Sequence, residues 1–118
     1  MDRDRVLEYC ASRPGAVEDY PFGEEVAVFK VGGRIFAICG LAGPPDVSLK
    51  CDPPRAEALR ARYPAVRPGY HLNKRHWNTV DLDGTVPDDE LPELIDHSWE
   101  LVVARLPRHQ RDALAGTP

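Results

Sequence analysis

Val26-Ala27-Val28-Phe29-Lys30-Val31-Gly32-Gly33-Arg34-Ile35-Phe36-Ala37-Ile38-Cys39 holds two β-rich runs separated by two glycines. Glycine tolerates the positive φ that a two-residue hairpin turn requires, and β-branched or aromatic flanks suit a pleated surface. The stretch predicts an antiparallel hairpin. A two-residue loop sets the register and places Phe29 opposite Phe36 and Lys30 opposite Ile35. One face then carries Ala27, Phe29, Val31, Phe36 and Ile38, and its aromatic pair marks it as the core side. The other carries Val26, Val28, Lys30, Ile35, Ala37 and Cys39. It is apolar enough that something must shield part of it.

Outward from the hairpin, the chain alternates between the two kinds of periodicity. Residues 3 to 13 read as a helix, with Val6, Leu7, Cys10 and Ala11 at helical spacing, Asp2 as its cap and Pro14-Gly15 as its stop. Glu18 to Gly23 read as a turn-rich connection. Val47 to Cys51 form a third strand, with Val47, Leu49 and Cys51 inward and Ser48 and Lys50 outward. Pro53-Pro54 open a second helix capped by Asp52 and ended by Pro64. Tyr70-His71-Leu72 is a predicted fourth strand and His76 to Leu82 a fifth. Residues 88 to 106 are the last helix, with Leu91, Leu94, Ile95, Ser98, Val102 and Leu106 on one face, and the tail beyond is expected to fray or to add a helical turn over Arg108 to Leu114. Tight turns between consecutive strands imply an antiparallel sheet with helices on one side. The expected fold is α+β, a two-layer α-β(3)-α-β(2)-α arrangement forming one domain over residues 1–118.

With 118 residues, 42% hydrophobic and 29% charged, the chain has the composition of a globular domain. Its apolar runs fall well short of the roughly 20 residues that span a bilayer, and the charged start at Asp2 to Arg5 lacks a signal core. Cys10, Cys39 and Cys51 are odd in number and widely spaced, which suits reduced, buried thiols in a cytoplasm. Net charge is −4, which argues against a nucleic-acid partner. The distribution is uneven, however. From Lys50 to His76 there are seven Lys or Arg against two acids, and elsewhere eight against seventeen. A local basic face binds phosphate even on an acidic protein.

The densest polar stretch runs from Tyr70 to Asn78 and holds His71, Asn73, Lys74, Arg75, His76, Trp77 and Asn78. Alternation puts Trp77, Thr79 and Asp81 on the side of the sheet away from Val80 and Leu82. Lys50, outward on its own strand, shares that side. Cations for phosphate, carboxamides for base edges and an indole for stacking are the components of a nucleic-acid face. With Arg55 and Arg60 from the second helix, these residues are the candidate binding site. No catalytic set stands out. Ser98 follows His97 on a helix, where neighbours diverge, so Ser98 is read as a small residue allowing close packing. Gly32-Gly33 precedes no helix and is not a phosphate loop. The histidines lack metal-ligand spacing, so no metal and no cofactor are expected.

Pro21-Phe22-Gly23-Glu24, Val28 to Gly33, Leu49-Lys50-Cys51-Asp52-Pro53, Pro68 to Lys74, His76 to Val80 and Leu94 to Trp99 together resemble the MmcQ/YjbR family. The similarity runs in order from about residue 4 to 107. Trp99 departs from it, standing where a tyrosine is usual. The resemblance implies the same two-layer order, likened to CyaY-like (frataxin-like) domains and to a "double wing" DNA-binding arrangement. The iron binding of the frataxin comparison does not carry over, because Arg3, Arg5 and Arg13 dilute the acids of the first helix. The expected function is binding, not catalysis. DNA held by Lys50, the second helix and Lys74 to Asn78 stands first. A pocket for a small anionic or aromatic ligand, lined by Trp77, His71 and Lys50, stands second. A dimer burying the second hairpin face at Val28 stands third, so the protein is expected as monomer or homodimer without a membrane partner.

Overall fold

The computed structural model describes residues 1–115. Its elements are α1 (Arg3–Ala11), β1 (Val17–Asp19), β2 (Val26–Val31), β3 (Arg34–Gly40), β4 (Asp46–Lys50), α2 (Pro53–Arg62), β5 (Val66–Pro68), β6 (Trp77–Asp81), α3 (Glu90–Val103) and α4 (Arg108–Ala115). Six strands form one sheet in the order β1-β2-β3-β4-β6-β5, and every neighbouring pair is antiparallel. The helices cover one face, where α3 packs on β2, β3 and β4 and α2 on β5. The two-layer α+β expectation holds, extended by the edge strand β1 and the closing helix α4.

The β2–β3 hairpin forms as read, with Gly32 and Gly33 at φ 58° and 80°. Its register differs by one residue. Lys30 pairs with Ile35, but Phe29 pairs with Ala37 because a bulge intervenes at Phe36. A bulge adds a residue to one strand and reverses the alternation beyond it. Phe36, Ala37 and Cys39 therefore all join the core, while Ile38 turns to the opposite face. The rings of Phe29 and Phe36 still meet, at a centroid separation of 6.4 Å.

Ser98 explains how the bulge is held. The hydroxyl is fully buried, donates to the Phe36 carbonyl at 2.6 Å and accepts from the Lys50 N–H at 2.9 Å. It joins β3 to β4 just past their last recorded pair, Ala37 with Leu49. Beside it, His97 Nε2 accepts the Asp52 N–H at 3.1 Å. Asp52 starts α2 through its backbone, its carbonyl accepting from the Ala56 N–H, and its side chain makes no capping bond.

Two further expectations change. Tyr70-His71-Leu72 is a turn; the strand lies earlier, at Val66–Pro68, where it pairs with Thr79 and its neighbours. His71 has φ 56°, a left-handed conformation that no strand accommodates. Glu18 and Asp19 belong to strand β1. Of the two outcomes expected for the tail, fraying or a helical turn over Arg108 to Leu114, the helix forms as α4, whose Leu114 packs on the core close under Gly15; residues 116–118 lie outside the described positions. Trp99 donates its indole N–H to the Pro14 carbonyl at 2.9 Å and ties α3 to the end of α1. Cys10, Cys39 and Cys51 are free and buried. Among the described residues no helix is long and apolar enough to cross a membrane.

Candidate functional site

The sheet face without helices is not bare. Two segments fold over it: Phe22, from the β1–β2 connection, and Tyr70 to Leu72, from the β5–β6 loop. Between them and the sheet lies a cavity of about 530 Å³, within the roughly 300–1,000 Å³ usual for small-ligand pockets. Its floor is Val26 of β2, Ile35, Ile38 and Gly40 of β3, Asp46 and Ser48 of β4, and Trp77 and Thr79 of β6. The bulge builds this floor. Residues three apart on a regular strand face opposite ways, yet Ile35 and Ile38 both line the cavity because Phe36 is the extra residue between them.

The β5–β6 loop is fixed in place by a chain of hydrogen bonds. The Gly69 N–H donates to the Trp77 carbonyl at 2.9 Å, and the Tyr70 N–H donates to Thr79 Oγ1 at 3.0 Å. Thr79 Oγ1 also meets Ser48 Oγ at 2.8 Å across β4 and β6. Both hydroxyls are buried although they sit on the outer face, so the loop shields them from water. Asn73 Oδ1 accepts from the N–H groups of Arg75 at 3.0 Å and His76 at 3.3 Å, closing the loop's far end. His71 holds its left-handed backbone with its ring 4.1 Å from that of Tyr70. Such a conformation costs about 1–3 kcal/mol and persists only where the surroundings enforce it.

The charges follow a simple layout. Arg67 of β5 binds Asp81 through two bonds, Nε to Oδ2 at 3.1 Å and Nη2 to Oδ1 at 2.8 Å. Asp46, opposite Asp81 on β4, lies 3.9 Å from the same guanidinium. Burial pushes the Asp46 carboxyl above its ordinary range; Arg67 pulls it back and the charge of Asp81 adds to the rise. No Lys or Arg side chain lines the cavity among the described residues.

The residues singled out in the sequence divide into separate groups. Trp77 and His71 line the cavity. Arg60, Lys74 and Arg75 line a different groove, of about 620 Å³, with Pro53, Pro54 and Glu57. Two of those three cations are engaged internally. Arg60 donates from Nε to Asn78 Oδ1 at 2.7 Å and from Nη2 to the Lys74 carbonyl. Lys74 Nζ donates to the Gly69 carbonyl at 3.3 Å. Asn78 is buried and also donates to the Ala56 carbonyl, so it joins α2 to the sheet. His76 is half-buried and its carbonyl accepts from the Cys51 N–H.

Arg55 sits on the first turn of α2, where its charge bears on Cys51 and His97. Lys50 lies opposite Trp77 on the ladder. Burial, then the charges of Arg105 and Arg34, lower its pKa. Val28, on which a dimer contact was expected to rest, is already fully buried within the single chain. Phe22, Val26, Ile35, Ile38, Asp46, Ser48, Tyr70, Leu72 and Thr79 complete the cavity and were not singled out as site residues. The one sequence signal for them was the apolar second face of the hairpin, which called for a cover. Among the described residues no cluster of three or more His, Cys, Asp or Glu is placed to hold a metal ion.

The molecule is thus a two-layer α+β domain with a six-stranded antiparallel sheet and a cavity on its helix-free face. The YjbR family model matches residues 11–101, and the chain belongs to that family. It is 39% identical to the Escherichia coli K12 protein YjbR over 97% of this chain and 98% of that one. It is 37% identical to the Bacillus subtilis protein YyaQ over 86% of this chain and 98% of that one. The crystal structure of the Deinococcus radiodurans protein DR2400 superposes with a TM-score of 0.89 at 42% identity, covering 95% of this chain and 86% of that one.

Proposed function

We propose that the protein is a small-molecule binder whose site is the cavity between the helix-free sheet face and the segments bearing Phe22 and Tyr70 to Leu72. The observation that carries this reading is the composition of a cavity of about 530 Å³: aromatic and branched walls around a few fixed polar groups. A pocket of that make-up gains binding energy from apolar burial, roughly 25 cal/mol per Å², and orients its ligand through the polar groups. The role is binding without catalysis, in a cytoplasm that keeps the three thiols reduced.

Nucleic-acid binding draws less support. The indole and the cations lie in separate depressions, and Arg60 and Lys74 are bonded to the protein's own acceptors. A stacking platform needs an aromatic plane beside the cations that hold the backbone.

The test is methyl-detected NMR during titration with a panel of small aromatic compounds. Shifts should concentrate at Ile35, Ile38 and Leu72. Trp77→Ala should weaken the best binder about tenfold through the contact it removes. Compounds that leave those methyls unmoved, together with duplex-induced shifts of the backbone amides of Arg60, Lys74 and Arg75 in a nitrogen-15 spectrum, would overturn the assignment.

A further inference from the structure

The cavity's polar end has an unusual balance. Arg67 donates from Nε and Nη2 to Asp81, and the same Nη2 reaches Asp46 only at 3.9 Å, beyond hydrogen-bonding range. Arg3, the other cation bearing on Asp46, spends Nη2 on the Gly43 carbonyl at 2.7 Å. Asp46 is therefore a partly buried carboxylate whose ion pair with Arg67 is long, and it lines the cavity with Ser48. The rest of the lining includes the aromatic rings of Trp77, Tyr70, Phe22 and His71. A carboxylate at one end and aromatic faces along the sides attract the same kind of group, a cation. An anion would meet repulsion from Asp46 and find no Lys or Arg in the lining.

We infer that the cavity selects an amphipathic amine, an aromatic or apolar body carrying one ammonium or amidinium group, with that group placed at Asp46 and Ser48. This rests on the cavity being the binding site, and it narrows the expected anionic or aromatic ligand to an aromatic cation. The Ser48–Thr79 hydroxyl pair supplies a second polar contact. An ammonium donates, so it needs an oxygen lone pair there, and Ser48 Oγ keeps at least one whichever hydroxyl donates across the 2.8 Å pair.

Three probes with one ring system decide the point: naphthylmethylamine, naphthylmethanol and naphthylacetic acid, titrated at neutral pH and followed at the Ile35 and Ile38 methyls. The amine should bind about tenfold tighter than the acid, with the alcohol between them. Asp46→Asn should erase the amine's advantage and leave the alcohol's affinity within about twofold. Asp46→Ser serves as the second variant should Asn disturb the fold. An acid that binds as well as the amine overturns the charge assignment while the cavity reading stands. A preference that survives both substitutions removes Asp46 from the role. If none of the three probes moves either methyl, the cavity reading itself falls.

Discussion

At residue 98 a single hydroxyl serves two buried backbone groups, the Phe36 carbonyl and the Lys50 N–H. Ser98 is fully buried, and so is its bond to the Phe36 carbonyl, while the Lys50 N–H is part-buried. Ser98→Ala leaves both unpaired, and each buried orphan costs about 1–3 kcal/mol. We expect a loss of about 2–4 kcal/mol in urea unfolding. The loss should exceed that of a cavity the size of one hydroxyl. A Ser98→Ala variant as stable as the parent would show that the bulge holds itself. The sequence revealed that residue 98 is on the packed face of α3. It could not reveal the bonds, because the partners lie 62 and 48 positions away and their availability depends on a bulge that the hairpin pattern did not show.

Among the elements, the β5–β6 loop is where propensity and tertiary structure diverged. Tyr70-His71-Leu72 has strand-like composition, yet Gly69 lets the chain turn back against β6. A Cβ at Gly69 would lie 2.7 Å from Trp77 Cβ and 3.1 Å from both Leu72 Cβ and the Trp77 carbonyl oxygen. That approach allows the Gly69–Trp77 bond and sets Tyr70 over Thr79. Gly69→Ala should therefore push the loop off the sheet at a cost of about 1–3 kcal/mol. The Trp77 environment should open, read as a red shift and stronger acrylamide quenching above the constant contribution of Trp99. Unchanged emission would mean that the loop does not cover the indole. The hairpin element behaved differently: Gly32-Gly33 formed the expected turn, and only the bulge beyond it changed which side chains face the cavity.

For the whole molecule, the charge pattern was legible as a count but not as a surface. The excess of cations between Lys50 and His76 is spread over α2, β5, the β5–β6 loop and the far end of β4. Folding separates them: Arg67 binds Asp81, Arg60 supports the loop, and Lys50 lies toward Arg34 and Arg105. On a molecule of net charge −4, such scattered cations give little neutralisation of consecutive phosphates. Fluorescence anisotropy with a labelled duplex should show binding weaker than the roughly 1–100 μM typical of non-specific association at physiological salt. Tight binding that weakens steeply with added salt would restore the nucleic-acid reading.

The amino-acid order alone was enough for the first three helices, most strands, the antiparallel two-layer class and the family, because these rest on local periodicity, turn glycines and short motifs that lie close together along the chain. The cavity was decided only by packing. Its floor depends on one extra residue at Phe36, its roof on a close approach at Gly69, and its polar end on how Arg67 divides itself between Asp46 and Asp81. Each is a contact between segments distant in sequence, and a periodic pattern carries no record of which distant partner a side chain will find.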